Sequence, residues 1–332
     1  MNTFGRTFRV SVLGESHGTC VGALIDGCPA GLAIEQEDFA VDLARRQGGG
    51  RPGTTPRKEA DIPIFKSGIY QGRTTGAPLL IVLENNNVRS NDYDAIKDKP
   101  RPGHADLVAK MKYGGFNDFR GGGHFSGRLT AAVVAAGVVA KKVLGEIKIK
   151  ADIISVGGSC EIDRAVNKAL EDGDSVGGIV ECVVSDLPSG LGEPFFDSLE
   201  SLLSHAAFSI PAVKAIEFGL GMKAACMRGS EFNDDILNAD GKTRTNNSGG
   251  INGGLTNGND LIYRIAIKPT SSIRKEKQTV DLTSGIPTSI SVKGRHDACI
   301  ALRVPPVLEA TTALVLADLM MLENHLKRVF RN

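Results

Sequence analysis

Tryptophan is absent from this chain, and tyrosine and phenylalanine together number 17 in 332 residues. So few aromatic rings leave little for bases to stack on, which argues against a single-strand nucleic-acid binder. There is no excess of either charge: 39 Lys+Arg stand against 38 Asp+Glu, a net charge of +1. A general nucleic-acid binder would be strongly basic. The cysteines (Cys20, Cys28, Cys160, Cys182, Cys226 and Cys299) form no CxxC pair and no zinc-type spacing with histidine. They are expected to be free thiols in a reducing compartment, and no metal is expected. Long hydrophobic runs are also lacking. The most apolar, 129–140, is interrupted by Thr130 and closed by Lys141-Lys142, well short of the roughly 20 residues that span a bilayer. The opening MNTFGRTFRV has no apolar signal-peptide region. The expectation is a cytoplasmic protein with neither membrane nor nucleic acid as partner. A hydrophobic fraction of 41% still supports a sizeable core and excludes a disordered chain.

Glycine is what the chain has in excess, 40 of 332 residues or about 12%, against roughly 7% in average usage. The glycines cluster at Gly48-Gly49-Gly50 with Gly53, at Gly114-Gly115 and Gly121-Gly122-Gly123, and at Gly249-Gly250 with Gly253-Gly254. Turns and close packing account for any one of them. Three clusters interleaved with Arg and His favour loops whose N–H groups converge on an anion. The loop after residue 44 carries Arg45, Arg46, Arg51, Arg57 and Lys58 before the first acid, Glu59. It is either a solvated charged loop or a site for phosphate and carboxylate, which arginine forks match. The segment Arg120–Arg128 runs a glycine loop into an Ala/Val-rich helix, a ready phosphate site. Three histidines keep unusual company, in Gly14-Glu15-Ser16-His17-Gly18, Arg101-Pro102-Gly103-His104-Ala105-Asp106 and Arg295-His296-Asp297. Imidazole is the side chain best matched to proton transfer near neutral pH.

Periodicity predicts strands at 8–12, 21–25, 62–69, 79–83, 147–156, 176–184, 213–218, 261–267 and 286–292. Helices are predicted at 35–46, 128–144, 163–170, 197–207 and 306–330. Strands and helices do not alternate as a doubly wound sheet requires, so a single large α/β domain with long functional loops is expected. Three motifs mislead. Gly14-x-Ser16-x-Gly18 mimics a nucleophile elbow, but a β-branched run follows it where a helix is needed. Gly219-x-Gly221-x-x-Ala224 mimics a dinucleotide fingerprint without a helical sequel, leaving an NAD(P)- or flavin-dependent oxidoreductase as the alternative. Gly241-Lys242-Thr243 resembles the end of a P-loop, but Ile236 stands where the first glycine belongs. The residues alone point to an α/β enzyme for a phosphorylated, multiply anionic small molecule, with histidine acid–base chemistry.

Five segments in order then carry a resemblance to chorismate synthases: GESHG (14–18), RPGHAD (101–106), GGGHFSGR (121–128), KPTSS (268–272) and GRHD (294–297). It extends from Phe8 to the terminal helix. It implies one catalytic domain over 1–332, a helical layer sandwiched between antiparallel-rich β-sheets, with long active-site loops, assembled as a homotetramer. The implied reaction is anti-1,4-elimination of phosphate from 5-enolpyruvylshikimate 3-phosphate, with reduced FMN required and no net redox change. No added reductase domain is visible, so NADPH would act only through a separate flavin reductase. By resemblance, Arg46, Arg51 and Arg128 bind the substrate's anions, or Arg46 and Arg51 bind NADP. His17 is the acid for the departing phosphate, with Ser16 beside it; His104 serves the flavin; Asp297 assists removal of the ring proton. FMN contacts fall to His124, Phe125, Ser126, Pro211, Ala212, Gly253, Lys268, Pro269, Thr270, Ser271, Ser272 and Arg295. Many family members have Arg-Ser-Ser-Ala-Arg where this chain has His124-Phe125-Ser126-Gly127-Arg128, so contacts at 124 and 125 are expected from the backbone.

Overall fold

A computed structural model describes residues 2–47, 50–55, 59–87, 97–292, 296–326 and 328–330. The chain opens with β1 (Thr3–Phe4), β2 (Arg9–Gly14) and β3 (Cys20–Asp26), then α1 (Ala40–Gln47). There follow β4 (Ile64–Ser67), β5 (Ile69–Tyr70), β6 (Arg73–Thr74), β7 (Leu79–Glu84), α2 (Asp106–Lys112) and α3 (Thr130–Leu144). The second half brings β8 (Lys148–Val156), α4 (Ile162–Glu171), β9 (Gly178–Ser185), α5 (Leu199–Ala207), β10 (Val213–Phe218) and the short α6 (Gly229–Phe232). The chain closes with β11 (Ile251–Asn252), β12 (Leu255–Thr256), β13 (Leu261–Ile267), β14 (Lys277–Val280), β15 (Pro287–Ile290) and α7 (Pro305–Leu322).

Two antiparallel sheets enclose the central helices α3 and α7. One has the order β1-β2-β3-β7-β4, the other β10-β13-β9-β8. Strand residues alternate; β13 is buried at every second position along its length, as expected where one face meets the core. Between the sheets α3 packs on β2, β3 and β7, α7 packs on β8 and β9, and the two helices lie against each other. Their contact is close because both present small residues: a Cβ added at Gly137 would lie 2.3 Å from that of Ala310. Every residue of α7 from Pro305 to Met321 is buried, which an apolar face on all sides requires. Among the described residues α7 alone is long and apolar enough to cross a membrane, and it is enclosed within the protein. The expected α/β sandwich of a helical layer between antiparallel sheets is what the chain forms.

Two buried acids of α7 tie the layers together. Glu309 accepts from both terminal nitrogens of Arg45 (2.8 and 2.7 Å), from Lys141 (2.7 Å) and from the Ala151 N–H (3.0 Å). Burial raises its pKa, but Arg45 and Lys141 outweigh that and hold it below the usual range. Asp318 accepts the backbone N–H groups of Arg6, Thr7 and Phe8 at 2.6–3.0 Å, fixing the chain just ahead of β2. That places the turn at residues 14–18 over the core.

The structure departs from the sequence expectations at several boundaries. The strand expected over 62–69 breaks at Gly68, which lies against the Leu79 backbone with φ +84°. The last helix stops at Leu322, eight residues early, because Asn324 takes a left-handed conformation (φ 61°) and the His325 N–H turns back to Met320 C=O at 2.9 Å. Helix α2 and strand β14 were not anticipated, since both are short and carry no clear apolar period.

Candidate active site

A cavity of about 760 Å³ opens at the N-terminal end of α3, within the roughly 300–1,000 Å³ typical of small-molecule sites. Its walls are the loop before α2 (101, 103–105), the entry to α3 (124–130), the turn before β10 (208–212), the loop after β13 (268–272) and the segment before α7 (296–303). Pro269 cannot continue the ladder of β13, so the strand ends and the loop turns into the cavity. Ala212 holds φ 75° there, while its C=O accepts the Lys268 N–H at 2.9 Å. A left-handed alanine is a strained backbone, of the kind that gathers at functional sites.

Among the described residues, the charges lining the cavity are unbalanced: Arg46, Arg101, Arg128, Lys268 and Arg303 against Glu59 and Asp297. Behind them lies Asp61, almost wholly buried and itself left-handed (φ 47°). It accepts from Arg46 and Gln47 at 3.0 and 2.9 Å and from Arg128 at close range. Burial pushes its pKa up, but the two guanidiniums prevail and hold it below the ordinary carboxylate range. Arg46 is lowered to about 10, first by burial and then by neighbouring Arg303, although Asp61 opposes both. Its Nε has no hydrogen-bond partner in the protein, and neither has the buried hydroxyl of Thr270. Both residues line the cavity, and unpaired buried polar atoms are costly unless a ligand meets them. Arg303 is aimed by Asp297, which accepts it at 3.0 Å while also accepting the Thr55 N–H at 2.8 Å.

The histidines gather on the glycine loop. Gly121, Gly122 and Gly123 are all left-handed, with φ 59°, 82° and 52°, a run that side chains rarely tolerate. The backbone thereby comes against His17 at Gly121 and against His104 at Gly122; a Cβ at Gly121 would stand 2.3 Å from His17 Nδ1. His17 Nδ1 lies 3.3 Å from Ser16 Oγ, and the Ser16 N–H donates to Gly123 C=O at 3.1 Å. Gly121→Ala is therefore expected to displace His17 and lower turnover by ~10²-fold, the effect of misplacing a reacting group by about an ångström. Steady-state kinetics on the folded variant checks this; a wild-type rate contradicts it.

Of the residues singled out from sequence, the cavity brings together Ser16, Arg46, His104, His124, Phe125, Ser126, Arg128, Pro211, Ala212, Lys268–Ser272 and Asp297. His17 stands just behind Ser16. Others are placed differently. Arg51 is half-exposed and paired with Asp163 at 2.6 Å, away from the cavity. Gly253 turns the β11–β12 hairpin, whose Gly254 C=O accepts the Leu199 N–H, and it does not reach the cavity either. Arg295, like Arg57 and Lys58, lies outside the described residues. His124 is tied through Nδ1 to Gly14 C=O and through Nε2 to Asn2 Oδ1, both at 3.0 Å. Its ring is thus committed to the protein. Ser126 Oγ caps the turn into α3, accepting the Arg128 N–H at 3.3 Å. Asp297, expected to help remove a proton, lines the cavity and accepts from Arg303 and the Thr55 N–H. Among the described residues of the basic loop, Arg45 pairs with Glu309, Arg51 pairs with Asp163, and Arg46 enters the cavity.

Sequence reasoning did not pick out Asp61 or Arg303, which carry no motif. It quoted Arg101 and Asp106 without assigning them roles. The misleading motifs resolve as well: Gly14–Gly18 joins two strands, and Gly221–Cys226 is a 3-10 turn outside the cavity.

The sandwich and its cavity, rich in arginine and flanked by imidazoles, define an α/β enzyme acting on a small molecule. A family model described as chorismate synthase matches residues 8–321. Chorismate synthase of Chitinophaga pinensis is 60% identical over 333 residues, covering all of both chains. That of Pyrococcus abyssi is 47% identical over 343 residues, covering 95% of this chain and 96% of the relative. A solved structure entitled "Crystal Structure of Chorismate Synthase" superposes with a TM-score of 0.74 at 28% identity, covering 96% of this chain and 93% of the other. The chain belongs to the chorismate synthase family. It is an enzyme of aromatic biosynthesis, a lyase that eliminates phosphate.

Proposed function

We propose that the protein converts 5-enolpyruvylshikimate 3-phosphate to chorismate by anti-1,4-elimination, as a single catalytic domain over 1–332. The observation that carries this reading is a cavity lined, among the described residues, by five cations and two acids, whose neighbouring glycine loop holds two imidazoles. The substrate has one phosphate and two carboxylates, and guanidinium forks are suited to both. Arg46, Arg128 and Arg303 take these anions, with Asp61 holding Arg46 and Arg128 side by side and Asp297 holding Arg303. In the elimination the C–O bond to phosphate breaks and its electron pair leaves with the phosphate, while the C–H bond breaks, its electrons enter the new diene and its proton goes to the Asp297 carboxylate at the cavity wall. His17, steadied by Ser16, gives its proton to the departing phosphate. His104 holds a proton at the cavity wall.

Reduced FMN is the proposed cofactor. The protein suits it through the orphan hydroxyl of Thr270, the Lys268–Ser272 loop, the Pro211-Ala212 turn and the backbone at 124–126. When bound it supplies an electron-rich ring system, with no net redox change in the reaction. Around it, Lys268 lies 2.7 Å from Ser271 Oγ, a cation available to a phosphate or an electron-rich ring. NADPH serves only indirectly, through a separate flavin reductase. A homotetramer in the cytoplasm is the proposed state. A primary oxidoreductase activity is not favoured, since Gly219 and Gly221 lie outside the cavity.

The test is anaerobic incubation with reduced FMN and the enolpyruvyl phosphate, following phosphate release and chorismate absorbance. One phosphate per chorismate is expected, with none formed from NADPH and oxidised FMN alone. Absence of turnover with active reductant overturns the reading.

A further inference from the structure

One carboxylate holds two of the cavity's groups at once. Asp106, in the first turn of α2, is three-quarters or more shielded from solvent. Its Oδ2 accepts from Arg101 Nε at 2.7 Å and from the Arg101 N–H at 3.0 Å. Its Oδ1 accepts from Arg101 Nη2 at 2.8 Å and lies 2.6 Å from His104 Nδ1. Arg101 in turn donates to Ser272 Oγ at 3.0 Å, within the 268–272 wall. His104 lines both the main cavity and a smaller one of about 60 Å³ behind it. Asp106 lines only the smaller one.

We propose that Asp106 is a positioning residue that fixes the tautomer of His104, keeping a proton on Nδ1 and turning Nε2 toward the main cavity. This inference rests on the function proposed above. A ring nitrogen 2.6 Å from a carboxylate oxygen must carry a proton, because two lone pairs at that distance repel. Arg101 Nη2 also lies 3.2 Å from Nδ1, but it is already bonded to Oδ1, and the shorter contact decides the assignment. With Nδ1 committed, Nε2 is the nitrogen left to exchange a proton in the cavity. Arg101 cannot be displaced separately, because its fork and backbone close on the same carboxylate. One acid therefore couples the orientation of a cation to the tautomer of a base.

Asp106→Asn tests this through a defined rearrangement. The Asn oxygen goes to the two donors Arg101 Nε and N–H, and its NH2 then faces His104 Nδ1. The ring must accept there, so its proton moves to Nε2. In 15N-histidine-labelled protein without flavin or substrate, the His104 resonance, assigned by its loss in His104→Gln, is expected to show Nδ1–H in the wild type. It is expected to show Nε2–H in Asp106→Asn. In turnover, kcat is expected to fall ~10²–10⁴-fold, the range for a misdirected acid–base group, with KM changing far less. Asp106→Glu, which keeps the charge, is expected to restore the Nδ1–H signature. Wild-type protein with the proton on Nε2, or an Asp106→Asn protein with unchanged tautomer, overturns the proposal. So does a loss confined to KM. The spectroscopic arm is independent of catalysis, so failure of the wild type to turn over substrate refutes the proposed reaction and leaves the tautomer measurable.

Discussion

His17→Ala is expected to lower kcat by ~10²–10⁴-fold, the usual contribution of a positioned general acid or base. The imidazole rests on Gly121 with its Nδ1 3.3 Å from Ser16 Oγ. It is near enough to Asp118 for its charge to bear on that carboxylate. It stands apart from the Asp61-centred arginine group, so removing it should leave substrate affinity within a few-fold of wild type. Saturating reduced FMN under anaerobic conditions, with kcat and KM measured separately, distinguishes these effects. A near wild-type kcat rejects the acid role, and a loss confined to KM turns His17 into a binding residue.

Asp61→Ala is expected to be the most damaging substitution for stability. It leaves Arg46 and Arg128 buried without their shared anion, in a cluster where Arg303 already opposes Arg46. Removing one partner of a buried ion pair costs about 3–5 kcal/mol, readable by denaturant unfolding. Asp61→Asn keeps the shape and suits the left-handed backbone, since asparagine tolerates positive φ, so its loss should be smaller. The same carboxylate sets a direction with pH. Its pKa is lower folded than unfolded, so the unfolded state binds the extra proton first. The stability it confers is complete above about pH 4, the unfolded value, and is lost as pH falls through the lower folded value. Asp61→Asn should flatten that part of the acid limb. An unchanged limb, or Asp61→Ala as stable as wild type, contradicts this assignment.

The placement of Arg51 shows where local reading stops. It sits five residues beyond Arg46 in the same basic loop, and nothing in their side chains distinguishes them. Arg46 follows the buried face of α1 into the cavity, whereas Arg51 emerges beside Asp163 at the start of α4. Gly253 is similar: its glycine neighbours suggested a cradle, and the chain uses them for a hairpin.

The sandwich arrangement came only with the resemblance to chorismate synthases. The sequence by itself determined the α/β class, most of the apolar strands and helices, and the histidine and glycine segments of the site. These are legible because alternation, the helical period and backbone freedom are local properties of consecutive residues. Tertiary structure alone decided which arginines face the cavity and which are neutralised. Asp61 meets Arg128 across 67 positions, Glu309 meets Arg45 across 264, and Asp163 meets Arg51 across 112. A guanidinium is committed or available according to the acid the fold brings to it, and local periodicity does not carry that information.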